Sequence, residues 1–144
     1  RVLFRSRKLI TGKNLSIMCT NGARQALFQS LLYLIGSQKS DFEVIIPSPC
    51  WGAYREMTLT LGGNPIFTRL LPSGDLDLQD LKSKLTSKSR VLILCSPHNP
   101  TSTIISRDNL VKLSVITKKY SNLIFGRQND KILIKVIKIH FKIV

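Results

Sequence analysis

Six consecutive residues, Arg90-Val91-Leu92-Ile93-Leu94-Cys95, are almost all apolar and do not alternate. A strand with one wet face alternates, so this run reads as a strand covered on both faces, the condition of a parallel sheet with helices on each side. Pro97 and Pro100 end it. The chain before it supplies matching units. Residues 15–19 predict a strand that turns at Thr20-Asn21-Gly22 into a helix over residues 23–33, with Ala26, Leu27, Ser30, Leu31 and Leu34 on one face. Residues 43–47 are a β-branched run closed by Ser48-Pro49, followed by a helix over about 51–61 that Gly62-Gly63 stops. A third strand over 64–68, a turn at Pro72-Ser73-Gly74-Asp75 and a helix over 77–85 that buries Leu78, Leu81 and Leu85 come next. After the central run, Ser106 caps a helix reaching about residue 120, and residues 122–125 begin another strand. Strands alternating with helices across short loops predict an α/β domain with a mainly parallel sheet and right-handed crossovers. No internal repeat interrupts the alternation.

At 144 residues with 43% apolar residues the chain has the material for one domain core. No apolar run approaches the ~18 residues that span a bilayer, so a membrane partner is not expected. The net charge of +14 raises a second possibility, a non-catalytic basic binding protein that contacts nucleic acid or an acidic surface. Its distribution argues against this. Residues 1–10 carry four basic groups and no acid, and residues 125–144 carry five against one, so more than half of the excess lies at the two ends. The stretch between has no basic stripe interleaved with aromatics, and no nucleic acid is expected. Cys19, Cys50 and Cys95 stand far apart, which suits neither a zinc site nor a disulfide framework and predicts a reducing compartment, cytoplasm or the matrix of a plastid or other organelle. Arg1 in place of Met, with no signal-peptide core behind it, reads as a chain begun part-way. The triplet Asn14-Leu15-Ser16 fits a glycosylation acceptor and carries little information.

Beyond Phe125 the character changes. Gly126-Arg127-Gln128-Asn129-Asp130 is a polar break, and residues 131–144 are mostly Ile, Leu, Val, Phe and Lys. Lys131, Lys135, Lys138 and Lys142 suit one helical stripe, while the β-branched residues suit a strand, and the pattern leaves both open. Such a tail also follows from translating A- and T-rich noncoding DNA.

In an open parallel sheet, ligands bind in the loops at the carboxyl ends of the strands. Three such loops stand out. The first, Thr20-Asn21-Gly22-Ala23-Arg24, opens a helix with small residues, Thr20 or Asn21 as cap and Arg24 in the first turn, which suits either a phosphate or a plain capped helix. The second, Ser48-Pro49-Cys50-Trp51-Gly52-Ala53-Tyr54, carries the sole Trp, fit to stack on a planar heterocycle or to pack in the core; Tyr54 reads as structural. The third, Cys95-Ser96-Pro97-His98-Asn99-Pro100-Thr101-Ser102, holds Asn99 between two prolines, while His98, with no carboxylate near it in sequence, reads as exposed. His140 has no partner either. No Ser-His-Asp set, P-loop or phosphate-binding Gly triplet is present. The residues point to a phosphorylated aromatic ligand on a sheet edge.

Taken together, Thr20-Asn21-Gly22-Ala23-Arg24-Gln25-Ala26-Leu27, Glu43-Val44-Ile45-Ile46-Pro47-Ser48-Pro49-Cys50-Trp51 and Ser96-Pro97-His98-Asn99-Pro100-Thr101, in that order and spacing, resemble class I aminotransferases that use pyridoxal phosphate. Residues 82–95 are most similar to the aspartate and prephenate aminotransferase branch. The resemblance covers about residues 14–124, dividing the chain into a lead-in over 1–13, part of a large cofactor-binding domain over 14–125 and a divergent basic tail over 126–144. It implies the three-layer fold of fold-type-I enzymes, homodimers with sites at the subunit interface, amino acid and 2-oxo acid substrates, and pyridoxal 5'-phosphate as cofactor. Carried over by position, Gly22, Ala23 and Arg24 hold the cofactor phosphate, Trp51 stacks on the ring and Asn99 hydrogen-bonds the phenolic oxygen. The family's Asp for the pyridine nitrogen falls near Arg127 or Gln128, and its Schiff-base Lys and substrate-gripping Arg come later than these residues, so no catalytic residue and no metal ligand is assigned. Ser102 replaces the usual Gly after Asn-Pro-Thr, and Cys50 stands where an aromatic is common. The resemblance thus implies an aminotransferase chain that keeps its anchoring loops and is inactive alone.

Overall fold

A computed structural model describes residues 20–35 and 41–118, together with the backbone of 124–128 and 135–137. The expected first strand, Cys19, the glycosylation triplet, His140 and most of the tail lie outside the described residues. In chain order the elements are α1 (Ala23–Ile35), β1 (Glu43–Ser48), α2 (Ala53–Thr60), β2 (Asn64–Arg69), α3 (Leu78–Lys84), β3 (Ser89–Cys95), α4 (Arg107–Thr117), β4 (Ile124–Gln128) and β5 (Lys135–Ile137). The sheet order is β2-β1-β3-β4-β5, with every pair parallel except β4 with β5.

The period-two geometry of a strand divides each apolar run between two cores. Val44, Ile46, Val91 and Ile93 face α1 and α2, meeting Leu27, Leu31, Ile35, Ala53, Tyr54 and Met57. Ile45, Leu92 and Leu94 belong to the other cluster with Leu81, Leu85, Leu113 and Ile116 of the α3 and α4 segments. The central run is therefore covered on both faces, and the molecule has three layers.

β4 continues through Gly126, Arg127 and Gln128, a stretch the sequence reads as a polar break, because its backbone pairs in parallel with Ile93, Leu94 and Cys95. Residues 135–137 resolve the helix-or-strand ambiguity for their part of the tail: they pair antiparallel with Phe125, Gly126 and Arg127.

At the β2 side of the sheet, the Asp80 carboxylate accepts from Lys84 Nζ at 2.9 Å, from the Arg69 N–H at 2.9 Å and from the Thr68 hydroxyl at 3.0 Å. Burial alone would raise its pKa, but these hydrogen bonds and the lysine charge prevail and hold it at about 2, below its ordinary 3.8. A carboxylate lowered on folding contributes stability above its unfolded pKa and loses that contribution as the pH falls through the folded value. The urea midpoint is therefore expected to fall between about pH 4 and pH 2. Asp80→Asn should lower the unfolding free energy at pH 7 by about 1 kcal/mol and flatten the acid limb, and an unchanged limb would remove Asp80 as the cause.

Candidate functional site

β1 and β3 are parallel neighbours, so the loops that follow them share one rim, and β4 ends there too, with Gln128 paired to Cys95. The first loop reaches this rim through α1. The Gly22 carbonyl accepts from Ala26 N–H at 3.3 Å and so begins the helix, placing Gly22 itself at the cap position with φ +87°. This corrects the expectation for Thr20 and Asn21: the Thr20 hydroxyl donates to the Gly22 carbonyl at 3.0 Å, and the Asn21 N–H donates to Gln25 Oε1 at 2.5 Å. The N–H groups of Ala23 and Arg24 belong to the first turn, which has no preceding carbonyls within the helix to receive them.

The second loop meets the first directly. Arg24 Cζ lies 5.6 Å from the centroid of the Trp51 ring, a cation–π approach, so one guanidinium links the helix start to the sole Trp. Trp51 is half-buried against the α1–α2 core and stands edge-on to Tyr54, with centroids 5.5 Å apart and planes at 84°. Tyr54 is buried as expected and does more than fill space. Burial first, then Cys95 by charge and hydrogen bond, and Cys50 more weakly, push its pKa upward, so the phenol stays protonated beside the thiol that begins the third loop. Burial also pushes the Cys50 thiol up, and Cys50 packs against the same core where an aromatic was the more usual residue.

The third loop corrects the reading of His98. Its side chain is 4% exposed, and desolvation lowers its pKa below the ordinary value. The ring Nδ1 lies 3.0 Å from the Thr101 hydroxyl, which lies 2.7 Å from the Thr103 hydroxyl. The His98 N–H donates to the Thr103 carbonyl and the Ser102 N–H to the His98 carbonyl, each at 2.7 Å. Ser102 therefore closes the tight turn that Gly usually closes, in the left-handed region at φ +57°. Asn99, on the crest of this turn, is exposed. Of the expected site residues, Arg24 and Trp51 are in contact, Gly22 and Ala23 adjoin them along the chain, and Asn99 stands across the rim on the loop that Cys95 begins.

Sequence reasoning missed the groups that hold the loop from behind. The Asn109 side chain pairs with the backbone of Leu76, accepting from its N–H at 3.2 Å and donating to its carbonyl at 3.0 Å. Asp75 accepts from the Ser106 N–H at 2.7 Å and the Ser106 hydroxyl at 3.1 Å. Among the described residues no cluster of three His, Cys, Asp or Glu could hold a metal, and Cys50 and Cys95 are free thiols.

The family model for class I and II aminotransferases matches residues 2–125. A bifunctional aspartate aminotransferase and glutamate/aspartate-prephenate aminotransferase of Petunia hybrida is 38% identical over 110 residues, covering 75% of this chain and 22% of the relative. An aspartate aminotransferase of Pinus pinaster is 36% identical over the same length, again with 22% of its own length covered. The chain therefore spans about a fifth of the length of these relatives. Among solved structures, an aromatic aminotransferase of Pyrococcus horikoshii superposes with a TM-score of 0.66 at 29% identity, covering 74% of this chain and 28% of that one. The N-succinyldiaminopimelate aminotransferase of Mycobacterium tuberculosis gives 0.67 at 28% identity, covering 75% and 28%. With the two cores, the parallel sheet and the loops on its rim, this match establishes that the chain belongs to the class I and II aminotransferases.

Proposed function

We propose that these residues form the cofactor-anchoring part of a pyridoxal-phosphate-dependent aminotransferase, which moves an amino group between an amino acid such as aspartate or glutamate and a 2-oxo acid. The observation that carries the reading is the contact of Arg24 with Trp51, which puts an anion-binding group and a stacking surface side by side on the rim. The residues fit the cofactor. Space around Gly22 is open, with nothing within 4 Å of where a Cβ would stand, and the adjoining turn offers backbone N–H donors and a guanidinium. In this reading the Ala23 N–H and the Arg24 side chain hold the phosphate beside Gly22, whose own N–H is given to the Thr20 carbonyl at 2.9 Å and which contributes open space, while the Trp51 face supports the ring and the Asn99 amide donates to the phenolic oxygen. When bound, the cofactor supplies an electron sink for negative charge developing at the amino acid's α-carbon. The chain's own residues bind and orient.

Residues 14–125 are the anchoring portion, 1–13 a lead-in and 126–144 a divergent tail. The relatives named as aspartate aminotransferases support a dicarboxylic amino donor. Pairing into homodimers extends from the family, and the free thiols support a reducing compartment, cytoplasm or organelle matrix. Among the described residues no helix is long and apolar enough to cross a membrane.

The sole Trp makes the reading testable. Titrating the chain with pyridoxal phosphate should quench Trp51 emission saturably, and Arg24→Ala should weaken binding by roughly ten- to a hundredfold, the loss of charge-assisted hydrogen bonds. Mixed with cofactor, aspartate and a 2-oxo acid, these residues alone should give no sustained conversion. Absence of saturable quenching would overturn the anchoring role, and sustained conversion would overturn the restriction to it.

A further inference from the structure

His98 is a buried, titratable side chain to which the proposed function gives no task, and the turn it occupies closes on it from every side. Its N–H donates to the Thr103 carbonyl, its carbonyl accepts from the Ser102 N–H, and its ring meets the Thr101 hydroxyl, which meets Thr103 in turn. The segment from His98 to Thr103 is thus tied at both ends and across its middle to one residue. Asn99 follows His98 directly and is exposed on the crest. An exposed amide with free rotation at its first dihedral loses entropy when it is fixed on a ligand, so a backbone already held in place raises the affinity of the contact. Thr101 is exposed and Thr103 half-buried, so the imidazole is the buried anchor of the series.

The geometry points to His98 as a positioning residue that, through Thr101, fixes the turn carrying Asn99 and so selects for a ligand with an oxygen at the phenolic position. This rests on the reading proposed above and adds to it a residue that does not touch the cofactor. An imidazole Nδ1 stands close to where the side-chain amide of an asparagine would stand, so Asn is the replacement that keeps the bond to Thr101, whereas Leu keeps the volume and loses it.

The test compares pyridoxal phosphate with 3-deoxypyridoxal phosphate, which lacks the phenolic oxygen, on the full 144-residue chain, read by Trp51 emission. The unaltered chain should prefer pyridoxal phosphate by about tenfold, the size of one hydrogen bond. Asn99→Ala should abolish the preference. His98→Leu and Thr101→Val should abolish it too, with binding of the deoxy analogue changed less than about twofold, and His98→Asn should retain it. The double variant H98L/N99A should be no worse than N99A, because both act on one contact. If His98→Leu leaves the chain unfolded by circular dichroism, Thr101→Val decides alone, since it removes one hydroxyl at nearly constant shape. A preference that survives Thr101→Val, or a loss that falls equally on both ligands, overturns the positioning role while leaving the cofactor reading intact. Failure of the unaltered chain to bind either ligand overturns both.

Discussion

Replacing Gly63 by alanine is expected to destabilise the fold by about 3 kcal/mol, the upper part of the usual range for overpacking a core. A Cβ there would lie 2.1 Å from Phe42 Cε2, 2.6 Å from Cζ and 3.0 Å from Cδ2, where carbon atoms need roughly 3.5–4.0 Å. Neither side yields cheaply. Phe42 is 3% exposed in the cluster that joins α1, α2 and the sheet. The Gly63 N–H donates to the Thr58 carbonyl at 2.9 Å, and the next residue, Asn64, donates its N–H to the Phe42 carbonyl at 2.8 Å, so the backbones of the clashing residues are themselves tied together. Gly62 is the internal control. Its φ of +77° makes alanine strained, by about 1 kcal/mol, but nothing lies within 4 Å of its missing Cβ. Urea denaturation of the two alanine variants should separate them, with Gly63→Ala the worse. In a Phe42→Leu background the extra cost of Gly63→Ala should shrink by at least half. Equal penalties at both glycines, or full additivity with Phe42→Leu, would mean that the ring does not set the limit.

The two glycines also show what the sequence makes legible. As a pair they read as a helix stop, and Gly62 is one: it takes the left-handed conformation while the Gly62 and Gly63 N–H groups satisfy the Leu59 and Thr58 carbonyls at the end of α2. The space that Gly63 leaves for Phe42 has no local signature, because Phe42 lies on the other side of the helix in sequence. The same distinction runs through the whole chain. Strands β1, β2 and β3 were legible because period and length are properties of neighbouring residues, and the division of Val91, Leu92, Ile93 and Leu94 between two cores follows from that period alone. The Trp51 loop reads from sequence as a stacking surface or as core packing, and its contact with Arg24 needed α1 and α2 packed side by side. His98 was misread for the same reason: its partners Thr101 and Thr103 lie within the loop, but only the closed turn takes the ring out of water.

Asn109 is the strongest case of a polar residue whose worth only the folded chain reveals, and its replacement is expected to cost nearly as much as the Gly63 clash. The sequence places it at the third position of a capped helix, and its N–H does donate to the Ser106 hydroxyl oxygen at 3.1 Å. A side chain in that position often reaches back to the cap's own N–H, but that group is taken by Asp75. The amide turns instead to Leu76, a residue 1% exposed, and satisfies both its N–H and its carbonyl. Asn109→Leu would leave two buried backbone groups without partners, an expected loss of about 3 kcal/mol. Asn109→Asp would keep an acceptor for the Leu76 N–H and set a second oxygen against the Leu76 carbonyl, so it should cost at least as much at pH 7. The two variants part company in acid. A carboxylate buried against a carbonyl has its folded pKa raised above its unfolded value, so the deficit of Asn109→Asp relative to the unaltered chain is full above the folded pKa and shrinks as the pH falls through it, when the protonated oxygen can donate. Asn109→Leu has nothing to titrate, and its deficit should stay constant. Because Asp75 and Asn109 tie the far end of the Asn99 loop to the turn before α3, both variants should also weaken pyridoxal phosphate binding under conditions where the chain remains folded. Unfolding curves at pH 7 and pH 4.5 decide the matter: a parallel response of the two variants to acid would show that Asn109 contributes volume and not its paired hydrogen bonds.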